Sequence, residues 1–180
     1  STLTDSSAAS DVYKRQVIDS ENKEDIKIAH TNQTTVTGVI ENKITDPNVV
    51  YDILKTNTFE IERKLNCVFK EAILILDSFN SSIINLSGYK KLNGSQLTKE
   101  DITFILNSLK SEIYEKESQK STIHIFNSNY HLDKKNINNL PIGLFGNFYS
   151  QELSFYLIDN NDLKNFNNIF NKCILIISKI

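Results

Sequence analysis

Residues 130–146 read Tyr-His-Leu-Asp-Lys-Lys-Asn-Ile-Asn-Asn-Leu-Pro-Ile-Gly-Leu-Phe-Gly. Pro141 fixes its own φ and pushes Leu140 extended, while Gly143 and Gly146 allow turns that a side chain would obstruct. The segment therefore ends one strand and shapes the path into the next. It reads either as a chain reversal only or as a contact surface, and Phe145, Phe148 and Tyr149 are the aromatic candidates for exposure on that surface. Lys134 and Lys135 beside Asp133 read as a solvated loop or as an interaction patch.

Working outward, Ile123, Ile125 and Asn127 alternate with His124, Phe126 and Ser128, the two-residue period of a strand reaching about Leu132. Before it, Thr98-Lys99-Glu100-Asp101 is a capping-box variant that opens a helix with Ile102, Ile105, Leu106, Leu109 and Ile113 in one stripe. After it, Leu153–Ile158 is a further strand. Asp159, Asn160 and Asn161 supply caps for a last helix with Leu163, Phe166, Ile169 and Phe170 inward, and Cys173–Ile177 begins another buried strand. Towards the start, Ile26 and Ile28, then Val36, Gly38 and Ile40, predict two short strands. Asp46-Pro47 starts a helix, with Asp as N-cap and Pro at the first helical position. Val50, Ile53, Leu54, Ile61 and Leu65 share its inner face. Ala72–Leu76 (AILIL) is apolar on both faces, as a central strand is. An extended stretch near Ser82–Leu86 follows, punctuated by Gly88 and Gly94. Strands and helices alternate, so the class is α/β with an α+β insert.

The 180 residues carry 20 basic against 22 acidic side chains, a balance that gives no basic face for nucleic acid or an anionic membrane. Two distant cysteines, Cys67 and Cys173, neither build a metal cluster nor a disulfide scaffold. No apolar run approaches the ~20 residues of a membrane helix. Phosphate-loop, dinucleotide, nucleophile-elbow and Cys-x-x-Cys motifs are absent. His30 and His131 read as solvated, and His124 as a packed or rim residue without a triad around it. Four Asn-x-Ser/Thr sites (Asn32, Asn80, Asn85, Asn93) follow from the Asn-rich, low-GC composition rather than from glycosylation. The chain contains no Met, which leads us to expect that its true start is missing. Ser6–Gln16 (SSAASDVYKRQ) matches the in-frame translation of a transposase-type sequencing adapter, with Asp11–Gln16 as the transposon end. Residues 1–16 are accordingly expected to be a non-native tail independent of the fold.

The segment at 130–146 resembles the bacterial actin-like cell-division family FtsA, in which a Y-x-x-D strand end leads into an N-P-V-G-x-x-G loop; here Leu140 precedes Pro141 where the family more often has Asn. Four further stretches resemble the family in the same order. Gly38-Val39-Ile40 with Asp46 is similar to its G-x-I-x-D opening, and Leu97–Ile102 to its V-T-x-E-D-V helix start. Ile123-His124-Ile125 is similar to its L-H-V strand, and Leu153–Ile158 with the next helix to its V-H-L-I element.

The resemblance implies a partial actin-like (RNase H-like) subdomain 1A over residues 17–78, and a strand-helix-strand-strand (SHS2) subdomain 1C over 79–172. Residues 173–180 would begin subdomain 2A. It implies a protein that links the division ring to the inner membrane from the cytoplasmic face, polymerises with itself, binds FtsZ through regions beyond this chain, and recruits other division proteins. The family is an ATPase that uses ATP and Mg. Its first phosphate-binding strand pair, second phosphate loop, adenosine pocket, ring-protein site and C-terminal amphipathic helix are all expected to be absent from this chain. No catalytic residue, cofactor, nucleic-acid or direct membrane contact is therefore expected here. Candidate protein-interaction residues are Tyr130, Asp133, Lys134, Lys135, Pro141, Gly143, Phe145 and Gly146. A pilus-assembly actin homologue with the same inserted module is the alternative, followed by an unrelated small enzyme.

Overall fold

The computed structural model describes residues 2–7, 12–19, 27–40, 43–76 and 81–180. The chain divides into two units, Ser1–Asn80 with Asn161–Ile180, and Ser81–Asn160. The class is mixed α/β, as the alternating pattern predicts.

In the first unit, β1 (Thr2–Ser7), β2 (Val12–Asp19) and β3 (Lys27–Thr35) form an antiparallel meander. On its other edge β1 pairs in parallel with β6 (Glu71–Leu76), and β6 pairs in parallel with β11 (Ile176–Lys179). The order is thus β11-β6-β1-β2-β3. Ala72 and Leu74 of β6 are fully buried, as the apolar run AILIL requires. Such a strand wants a partner along each edge. That need corrects the expectation about residues 1–16: their backbone supplies β1 and part of β2, between β6 and β3. A ladder is made of peptide groups, so a polar segment can fill it. The adapter match concerns where these residues come from, and the pairing concerns what they do. Ile26 and the expected boundary at 78/79 lie outside the described residues.

Helix α1 (Pro47–Leu65) starts as expected, with the Asp46 carboxylate accepting from the N–H groups of Asn48 and Val49 and Pro47 at the first turn. It stops at Asn66, which takes the left-handed conformation (φ 51°). Its inner face holds Val50, Leu54 and Ile61 together with the polar Asn57. Asn57 is satisfied there: Oδ1 accepts from Asn32 Nδ2 (2.9 Å) and Thr34 Oγ1 (3.0 Å), and Nδ2 donates to the Ile53 carbonyl (2.7 Å). Helix α1 is thereby tied to β3. The short strands β4 (Val39–Ile40) and β5 (Lys43–Ile44) form a hairpin ahead of α1. A Cβ on Gly38 would stand 2.7 Å from the Asp46 carbonyl oxygen, so glycine lets the hairpin close onto the helix start. Helix α3 (Asn160–Lys172) buries Phe166, Ile169 and Phe170. The expected strand at Cys173 instead begins at Ile176, because Cys173 and Ile174 form a turn with Ile174 at φ 61° and 86% exposed.

The second unit is strand-helix-strand-strand in chain order, with a small hairpin added. Strands β7 (Ser81–Lys91), β8 (Lys120–Leu132), β9 (Lys135–Ile137) and β10 (Phe148–Asp159) form an antiparallel sheet in the order β7-β10-β8-β9. β7 runs through Gly88 where punctuation was expected. A Cβ there would come within 2.3 Å of Ile105 Cγ2, so the glycine admits helix α2 (Lys99–Lys116) against the strand. Ile105, Leu109 and Ile113 of α2 meet Leu153, Phe155 and Leu157 of β10 in one buried cluster. The capping box is complete, with the Thr98 hydroxyl accepting from Asp101 N–H and the Asp101 carboxylate accepting from Thr98 N–H.

Candidate protein-interaction site

Two loops at one end of the second unit's sheet pair with each other. Asp133 and Lys134 both have positive φ (50° and 67°) and form the two-residue turn between β8 and β9. Asp133 then reaches across to β10, its Oδ1 accepting from the N–H groups of Asn147 (2.8 Å) and Phe148 (2.9 Å). Its own N–H donates to the Phe148 carbonyl. On the other side, Leu92–Ser95 is a turn closed by Ser95 N–H to the Leu92 carbonyl, with Asn93 and Gly94 at φ 53° and 85°. Leu97 and Gly143 to Leu144 exchange backbone hydrogen bonds, as do Gly94, Gly146 and Ser95. The β7–β10 ladder is in this way continued past the sheet into a plate made of the two loops.

The plate sorts the expected site residues by role. Pro141 and Gly146 are buried. A Cβ on Gly146 would meet Leu132 Cδ1 at 2.5 Å, so this glycine serves the packing under the loop. Gly143 holds φ 84° over open space, a turn requirement. Tyr130 is half-buried against the core cluster. Asp133 is a clamp, and Lys134 and Lys135 are solvated. Phe145 is 70% exposed and Phe148 is partly exposed, but Tyr149 is fully buried, which corrects its place among the exposed aromatics. The strand alternation decides this: Tyr149 faces α2, where its hydroxyl donates to Gln151 Oε1 (2.8 Å). Burial pushes its phenol well above the ordinary range, with Tyr130 adding to the rise.

The exposed apolar surface extends beyond the expected residues. Tyr89 on β7 stacks on Phe148 at 5.4 Å, a diagonal cross-strand pair. Phe104 on α2 lies under Lys90 Nζ at 4.7 Å, and that ammonium is 3.4 Å from Asp101 Oδ1. Ile142, Leu144 and Phe145 are also exposed, along the loop. Tyr89 and Phe104 carried no motif. Asn93-Gly94 did carry a signal, since Asn-Gly is the preferred two-residue turn, and read as a turn it places the opposite loop.

Each of the five glycines has a structural use among the described residues. Gly38, Gly88 and Gly146 are closed against neighbouring atoms, and the N–H groups of Gly94 and Gly143 donate within the plate. Among the described residues no three His, Cys, Asp or Glu side chains gather as for a metal.

No family model and no curated protein matches the chain. A solved structure does: a chain of a PilM-PilN type IV pilus biogenesis complex superposes with a TM-score of 0.65 over 99% of this chain, at 6% sequence identity. This chain spans 46% of that one. The likeness is one of fold, and it makes the fold actin-like.

Proposed function

We propose that the chain is part of an actin-like protein that holds a partner for a membrane-bound assembly, and that the assembly is the pilus-biogenesis machine. The observation that supports this is the actin-like fold shared over 99% of the chain with a protein from a PilM-PilN complex. Among the described residues no helix is long and apolar enough to cross a membrane; in this reading the protein acts at the cytoplasmic face of the inner membrane together with its partner. The partner is a PilN-type protein. The second reading, division, is favoured by the ordered FtsA-like stretches at 38–46, 97–102, 123–125, 130–146 and 153–158. In that case FtsZ and later division proteins are the partners, and self-association into polymers is expected.

Sequencing outward from the gene decides between the two. A PilN-type reading frame beside it, whose product binds the purified chain, is the expected result. A downstream C-terminal amphipathic helix with division genes alongside would overturn it in favour of division.

We also propose that the chain itself neither binds nor hydrolyses ATP. Phosphate recognition needs N–H groups aimed into a loop, and the glycines above are committed elsewhere. Titration calorimetry with Mg-ATP is expected to show no saturable heat at micromolar concentrations. One-to-one binding would refute this.

A further inference from the structure

One end of the second unit's sheet joins an apolar loop to a set of unpaired lysines. Leu140, Ile142, Leu144 and Phe145 are exposed along the loop between β9 and β10. Positions 136–151, which contain that loop, carry no charged side chain. A Cβ on Gly143, or on Gly94 in the loop paired with it, would meet nothing within 4 Å. The surface is open there, with no wall to receive a partner's side chain. The loop's backbone is also committed: the N–H groups of Gly143, Leu144 and Gly146 donate to the carbonyls of Leu97, Pro141 and Ser95. Moving the loop out of water leaves those donors paired, which is the condition a lipid boundary imposes on a backbone.

The strand register sets the lysines on both sides of this loop. Lys91 on β7 is opposite Phe148 on β10, Asp133 lies beyond Phe148 and donates its N–H to the Phe148 carbonyl, and Lys134 and Lys135 follow in the hairpin. Lys91 and Lys135 are three strand spacings apart, ~14 Å. All three lysines are exposed, and among the described residues none is in an ion pair. Lys90 is excluded because Asp101 holds it, and Lys99 because Glu100 stands beside it. The acidic group of the row, Asp133, is turned to the N–H groups of Asn147 and Phe148. The near-equal totals of basic and acidic residues conceal this local excess of positive charge.

The geometry points to this end of the sheet as a contact surface for an anionic phospholipid bilayer. Residues 140–145 enter the headgroup boundary, to a depth of ~5–10 Å, and the ammonium groups of Lys91, Lys134 and Lys135 meet lipid phosphates. The stacked rings of Tyr89 and Phe148 lie close behind, at the interfacial level that aromatic side chains favour. An apolar tip and adjacent positive charge are together the two signals that stable peripheral binding needs. A second copy of this chain fits less well, because a two-fold contact would set the same lysines against one another. The inference departs from the expectation of no direct membrane contact drawn from the family resemblance, and it does not depend on which assembly the protein serves.

The chain has no Trp, so Phe145→Trp, at an exposed position of the full chain, gives a single fluorescent reporter in the loop. Vesicles of phosphatidylglycerol and phosphatidylcholine are expected to shift its emission to the blue with saturation, and vesicles of phosphatidylcholine alone to do so far more weakly. Adding Lys134→Asn and Lys135→Ser, with Asn suited to the left-handed backbone at that position, is expected to weaken binding roughly thirtyfold. No shift at millimolar lipid overturns the proposal, as does an equal shift with both kinds of vesicle. Co-sedimentation with vesicles but no shift places the contact on another face and also overturns it. A shift that grows with protein concentration in the absence of lipid overturns it in favour of self-association. If the lysine variant does not fold, salt decides: binding that fails to weaken as salt is added overturns the proposal.

Discussion

Gly88 and Ile105 stand where the second unit has no spare volume. Adding one methyl at Gly88 drives it into a β-branched side chain that is 2% exposed and held by the cluster around it. Gly88→Ala is therefore expected to destabilise the protein by about 1–3 kcal/mol in denaturant unfolding. Ser87→Ala, next to it on the exposed face, should stay within about 0.5 kcal/mol. At this scale the sequence was legible wherever a residue's reason is local. Asp46-Pro47 and Thr98–Asp101 announce their caps because a cap is a matter of neighbouring N–H groups. Asp133 could be read as a strand end, whereas its bonds to Asn147 and Phe148 span a loop that no local rule connects. Gly88 was read as a break because a glycine required by a helix distant in sequence looks the same as one required by a turn.

Helix α2 and strand β7 depend on each other through the cap. The Asp101 carboxyl is held below its ordinary range, first by the Thr98 backbone N–H and then by the Thr98 hydroxyl and Lys90, with partial burial opposing them. A carboxylate whose folded pKa is depressed stabilises the protein above its unfolded pKa of ~3.9, and that contribution is lost as pH falls through the folded value. The melting-temperature gap between the unaltered protein and Asp101→Asn should therefore be full at pH 6 and shrink below about pH 4. A gap independent of pH would remove the charge from this account. Strands of clear alternation, such as Ile123–Phe126 and Leu153–Ile158, were legible with their faces. The strand expected over Val36–Ile40 is shortened to β4, and the small elements β5 and β9 were not legible, since two or three residues hold no period. Nor was the pairing of the two loops, which is a property of the β7–β10 register.

For the whole molecule, the sheet order places β1 in the middle of the first unit, so deletion of residues 1–16 is expected to open one edge of β6. Hydrogen exchange should then quicken at Ala72–Leu76 and remain slow at Leu153–Ile158. Unchanged protection at Ala72–Leu76 would show that β1 contributes nothing to the sheet. The alternating pattern predicted an α/β chain but not that the first sixteen residues take part, because polarity reports burial and says little about backbone pairing. The first unit is also discontinuous, its strands β1–β6 separated from α3 and β11 by the whole of the second unit, while Ser81 and Ile158 at the two ends of that unit are paired neighbours. On a ribosome this sets an order of events. Synthesis at 5–20 residues per second delays the closing strand by roughly 5–20 s while the ~100 residues between Leu76 and Ile176 emerge. During that interval one edge of β6 awaits β11, and the second unit has time to fold before the first has received all of its strands.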